Sequence, residues 1–166
     1  MKSNQVKTIG GKLLAVLAIS ALTSGLALAD EDSNGHNGLG RFVGTWEAQV
    51  TLRNCQTDAP IRTFPSTTTF MSGGTMLDSS SGIPQAMKTP GQGVWNHVGG
   101  KTYHFKFKSF SFDAGGNPTG WTIITHEASL NAKADEFESA GIAQVYAPNG
   151  SLMFTGCSST ASKRFE

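Results

Sequence analysis

Beyond residue 29 this chain has no apolar run long enough to cross a membrane, no block of like charge and no stretch of sustained helical periodicity. The first absence confines any membrane-directed signal to the N-terminus. The second removes the basic footprint that nucleic-acid binding requires, and equally an acidic tract for a basic partner. The third excludes a helical bundle. The chain also lacks G-x-S-x-G, H-E-x-x-H and a phosphate loop, so no catalytic spacing stands out among its four histidines and twelve carboxylates. Cysteine is nearly absent. Cys55 and Cys157 stand alone, with no C-x-x-C or H-x-x-H beside them, and the reading for metals and cofactors is none.

The N-terminus carries what the rest lacks. Lys2, Lys7 and Lys12 precede an apolar run, Leu13 to Leu22, which ends in the small-x-small pattern Ala27-Leu28-Ala29. This is the layout of a cleaved signal peptide over residues 1–29, with the mature chain starting at Asp30 in the periplasm or outside the cell. No cysteine lies at the junction, which argues against a lipoprotein, and no stable membrane insertion is expected after cleavage. In such a compartment two cysteines form one disulfide, for which chain entropy gives an upper figure of roughly 4–5 kcal/mol. Residues 30–40 (DEDSNGHNGLG) read as a flexible lead-in, with His36 solvated, and residues 41–166 as one domain.

In that domain, Trp46, Ala48, Val50 and Leu52 alternate with Glu47, Gln49, Thr51 and Arg53. Period two is the mark of a half-buried strand. Strands are expected near 43–53, 61–71, 75–80, 92–98, 101–112, 119–130, 135–147 and 151–165. Turn signals separate them, among them Gly73-Gly74, Gly99-Gly100 and Pro148-Asn149-Gly150. Residues 81–91, with two prolines and two glycines, read as an irregular loop. The expected fold is all-β: an antiparallel up-and-down closed barrel of about eight strands, because a Cys55–Cys157 bond makes the first and last strands neighbours.

Pairing the cysteines sets Trp46 opposite Glu166 and one diagonal step from Arg164. Pairing Val145 with Leu152 sets Ala143 opposite Phe154, and pairing Leu130 with Phe137 sets Ile124, His126 and Ala128 beside Ser139, Gly141 and Ala143. A two-residue Gly99-Gly100 hairpin turns Val94, Asn96 and Val98 to the face of Tyr103, Phe105 and Phe107. The inward set is then Trp46, Val50, Phe64, Phe70, Val94, Tyr103, Phe105, Phe107, Ile124, Leu130, Phe137, Val145, Leu152 and Phe154. Small inward residues (Ser139, Gly141, Ala143, Gly156, Ser158) either leave a lumen or are filled from the opposite wall.

Gly44-Thr45-Trp46 on the first strand, with Arg164 near the end of the last, resembles the lipocalin and wider calycin pattern. In that pattern the tryptophan plugs the barrel floor and an arginine packs across it, a structural pairing worth about 0.5–2 kcal/mol. Phe42-Val43-Gly44-Thr45-Trp46 also resembles the opening of fatty-acid-binding proteins, although no helical pair follows and the end, Lys163-Arg164-Phe165, lacks Arg-x-Tyr. Residues 40–166 as a whole look more like a group of exported bacterial lipocalin-like barrels of unknown function. The resemblance identifies a fold rather than a function.

His97 and His104 are expected as diagonal neighbours on the outer face beside Trp95, a surface pair without a third metal ligand. His126 is expected inside, near Tyr103 and Phe105, and glutamate 127 outside. Burial would hold His126 neutral, either as a core histidine bonded to Tyr103 or backbone, or as a polar handle for a ligand. Three functions remain open. One is a barrel binding a small hydrophobic molecule through His126, Tyr103, Phe105, Phe107, Phe64 and Phe154. Another is an isomerase or cyclase resembling the allene oxide cyclase type, and the last a filled barrel whose loops bind a protein.

Overall fold

A computed structural model describes residues 39–165. The signal-peptide expectation and His36 fall outside that range. Eight strands form one closed antiparallel barrel in chain order: β1 (Gly44–Arg53), β2 (Pro60–Phe70), β3 (Thr75–Ser80), β4 (Gly91–Gly99), β5 (Thr102–Phe112), β6 (Pro118–Leu130), β7 (Glu136–Tyr146) and β8 (Leu152–Arg164). A 3-10 turn, Gln85–Met87, sits in the β3–β4 loop. Among the described residues no helix is long and apolar enough to cross a membrane.

Alternation drives each strand. On β1, Trp46 and Ala48 are buried while Glu47 and Gln49 are exposed; on β5, Tyr103 and Phe105 are buried and Lys106 is exposed. β1 pairs with both β2 and β8, so no edge strand is left unpaired.

The expected β6–β7 register holds: Leu130 faces Phe137, and His126 faces Gly141. Two other seams slide by two residues. Trp46 lies directly opposite Arg164 rather than Glu166, and Cys157 faces Arg53. Val145 faces Phe154 and Ala143 faces Gly156, with an irregularity where Tyr146 meets Leu152. A slip of two keeps the paired side chains on their faces, but past the irregularity Leu152 meets Tyr146 at the rim, where Leu152 is exposed.

The β4–β5 hairpin slips by one. A bulge between His97 and Gly99 sets Trp95 opposite Phe105 and His97 opposite Tyr103. One extra residue inverts the faces. Trp95 is therefore buried, and Val94 and Val98 are exposed, against expectation. His97 packs on the Tyr103 ring and His104 pairs with Asn96, so the two histidines do not share the outer face.

The Cys55–Cys157 disulfide is present, with Cα atoms 5.2 Å apart across a sequence separation of 102. Cys55 lies just past the end of β1, so the bond staples the β1–β2 loop to β8. A disulfide belongs to an oxidising compartment.

One end of the barrel is a buried aromatic floor. A short helical turn at residues 39–42 brings Phe42 beneath the strands, where it is fully buried. Its ring stacks on Tyr103 (4.2 Å, 9°) and lies 4.2 Å from Phe70 and 5.1 Å from Phe137. Trp46 Nε1 donates to the Phe42 carbonyl at 3.1 Å. The Arg164 guanidinium lies 4.3 Å over the Trp46 ring and donates to the carbonyls of Ala134, Val43 and Arg41. Gly44 is required here. Its φ is +137°, and a Cβ would fall 2.5 Å from Arg164 Nη1.

Candidate functional site

Above the floor the inward residues no longer fill the barrel. They leave a cavity of about 320 Å³ that opens toward the β3–β4 and β7–β8 loops. Phe64, Phe105, Phe107, Ile124 and Val145 supply apolar wall, and Phe154 stands at the mouth, 61% exposed. Of the residues expected to bind a ligand, His126, Phe105, Phe107, Phe64 and Phe154 come together here. Tyr103 does not line the cavity; it is part of the floor, stacked on Phe42.

His126 is the polar centre of one wall. It projects from β6 opposite Gly141 of β7, where a side chain would bring a Cβ 2.6 Å from the imidazole Cδ2. Its Nδ1 is 3.0 Å from Ser139 Oγ and its Nε2 is 2.9 Å from Ser158 Oγ. These two serines, rather than Tyr103 or backbone, satisfy the ring. Burial lowers the imidazole pKa to about 4. At neutral pH the ring therefore has one N–H donor and one acceptor nitrogen. One serine accepts from it and the other donates to it. Ser158 also lines the cavity, so the wall presents its hydroxyl to an occupant.

A histidine within 3 Å of a serine invites a nucleophilic reading. The electrostatics oppose it. An imidazole with a pKa near 4 holds a proton about a thousandfold less readily at pH 7 than a base poised near 7. A second serine, rather than a carboxylate, lies against its other nitrogen, so no charge of opposite sign bonds to the ring to stabilise an imidazolium.

The opposite wall holds two charged-type residues that the sequence did not single out. Asp78 of β3 is buried, and its Oδ2 accepts from Ser66 Oγ at 2.7 Å and from Thr68 Oγ1 at 3.0 Å. Burial pushes its pKa up, against the two hydroxyl bonds and the nearby Lys88, which pull it down. Lys88, just after the 3-10 turn, reaches in from the loop with its Nζ 2.9 Å from Ser80 Oγ. Burial lowers its pKa, and the Asp78 charge opposes that shift. Among the described residues, Asp78, Lys88 and His126 are the titratable side chains on the cavity wall. No cluster among the described residues has three groups able to hold a metal ion.

Asp78 was within reach of sequence reasoning. It pairs with Thr68, at the same parity as the inward Phe64 and Phe70, so a carboxylate at that position had to be buried or served by hydroxyls. Lys88 left no such trace, because a loop has no period to place it.

No family model matches the chain, and no curated protein matches it. Among solved structures, the crystal structure of Rv2717c from M. tuberculosis is similar at 11% identity and a TM-score of 0.38, covering 80% of this chain and 98% of that one.

Proposed function

We propose that this protein is a lipocalin-like binding barrel whose lumen takes a small, largely apolar molecule with one uncharged polar group. The observation that carries the reading is the cavity of about 320 Å³ above the floor, apolar over most of its wall and polar at a few points. Its size suits a single small ligand of an eight-stranded barrel. The neutral His126–Ser158 pair favours a hydroxyl, carbonyl or amide over a charged group, because burial works against any charge placed beside it.

The test is titration of the native protein and His126→Leu with an environment-sensitive apolar dye, with native mass spectrometry of protein from its own source. Saturable binding that the variant weakens supports the lumen site. Absence of dye binding, together with a variant as stable as the native protein, overturns it. The convergence of Asp78, Lys88 and His126 on one apolar cavity also keeps the isomerase reading testable. Turnover of a polyunsaturated epoxide, lost in Asp78→Asn, would replace carriage with catalysis.

A further inference from the structure

Lys88 is in an unusual place for a lysine. The residue is only 9% exposed and faces a cavity walled by Phe64, Phe107 and Ile83. The loop that carries it is pinned to β5: Lys88 bridges to Ser111, the Thr89 amide donates to the Phe110 carbonyl, and the Phe110 amide donates to Thr89 Oγ1. The side chain is therefore held inward by backbone rather than by its own charge. Among the described residues its ammonium group bonds to Ser80 Oγ, a neutral partner. Asp78 shares the wall but makes no ion pair with it; the one ion pair among the described residues is Arg53–Asp58. Both hydroxyl bonds to Asp78 fall on Oδ2, so Oδ1 has no such bond. A primary amine and a carboxyl thus line one apolar cavity with no close ion pair between them.

We propose that Lys88 holds the lumen ligand covalently, as an imine formed with an apolar aldehyde or ketone. The inference rests on the binding reading above and names the ligand's polar group as a carbonyl. Burial shifts Lys88 toward its uncharged amine and Asp78 toward its protonated carboxyl, the two forms the reaction uses, although the charge of each opposes the shift of the other. The amine nitrogen bonds to the carbonyl carbon as the carbon–oxygen π bond breaks, and the oxygen takes the Asp78 proton. The ammonium of this adduct returns a proton to Asp78, and Asp78 then protonates the hydroxyl, which leaves as water. The products are one water and a protonated imine, with the Asp78 carboxylate as its counter-ion. No oxidant or reductant is consumed. His126, the third titratable group on the wall, is neutral and remains with its serines.

The test is reductive trapping: the native protein with decanal and cyanoborohydride, followed by peptide mapping. The expected result is one adduct, on Lys88, forming at least about tenfold faster than on exposed Lys101, Lys106, Lys133 or Lys163, because burial favours its free, nucleophilic amine. Excess decanol, with the same tail and no carbonyl, should protect Lys88 and leave the surface lysines unaffected. Lys88→Arg should lose the adduct, and Asp78→Asn should slow trapping. Labelling of Lys88 no faster than the surface lysines, with dye binding intact, overturns the imine and leaves the carrier. Fast, decanol-protected labelling without dye binding upholds the amine and overturns the reversible carrier.

Discussion

The floor and the lumen of this barrel are made from the same alternating strands, yet they are held together differently. At the floor, Phe42, Trp46, Phe70, Tyr103 and Phe137 pack ring against ring, and Arg164 clamps three carbonyls. Above them the same inward positions carry Ser66, Thr68, Asp78, His126, Ser139 and Ser158, which are joined by hydrogen bonds around a space. The disulfide lies at this second end. Packing stabilises the closed end, whereas the end that leaves volume free is covalently stapled. Stability and cavity are thus kept apart along the barrel axis.

The sharpest way to break this division is Trp46→Ala. Loss of a fully buried indole, with its bond to the Phe42 carbonyl and its guanidinium contact, should cost about 3–5 kcal/mol, read as a lower urea midpoint at unchanged m-value. A negligible shift would mean that the floor is not the stabilising half. Replacing both cysteines by serine comes next, with an expected loss of about 2–4 kcal/mol. Hydrogen exchange should then rise first in the 54–59 loop and the neighbouring part of β8. A uniform rise would show that the staple serves the whole barrel.

His126 gives a smaller effect with a definite sign. Its folded pKa of about 4 lies below the ordinary histidine value of 6.5, so the unfolded state binds more protons in that window. The stability it confers is complete above about 6.5 and is lost as pH falls toward 4. From pH 7 to pH 5 the native protein should lose about 2 kcal/mol from this group, and His126→Leu should not. Asp78, whose pKa is raised, acts in the opposite sense, so the difference between native protein and variant is the quantity to measure. The smallest expected effect is Arg164→Lys. An ammonium can keep the ring contact but cannot span the carbonyls of Ala134, Val43 and Arg41, at a cost of about 1 kcal/mol.

The strands and their closure were legible because period two and turn chemistry are local signals. The β6–β7 register was legible too, since Leu130 and Phe137 flank a tight turn and must both be buried. The β4 faces were not. Nothing in Gly99-Gly100 distinguishes a plain two-residue turn from one with a bulge before it, and that single residue put Trp95 inside and Val94 outside. Phe42 was missed because it belongs to no strand; its burial is decided by the hole in the floor that it fills. At the site, aromatic wall and histidine followed from parity, while Lys88 depended on how an irregular loop is pinned to β5.

The Arg164 clamp also bears on how fast this barrel can form. Its bonds to Val43 and Arg41 close loops of 121 and 123 residues, and the disulfide beside the same seam closes one of 102. Each hairpin from β1–β2 round to β7–β8 is a neighbour-to-neighbour event, but the β1–β8 seam is not. Loop closure must be met before those contacts give anything back, which places the seam late and makes it the slow step. Until it zips, two bare strand edges face solvent at once. Oxidation of Cys55 and Cys157 turns that distant encounter into a short-range one, so the oxidised chain should refold in a markedly faster phase than the reduced chain.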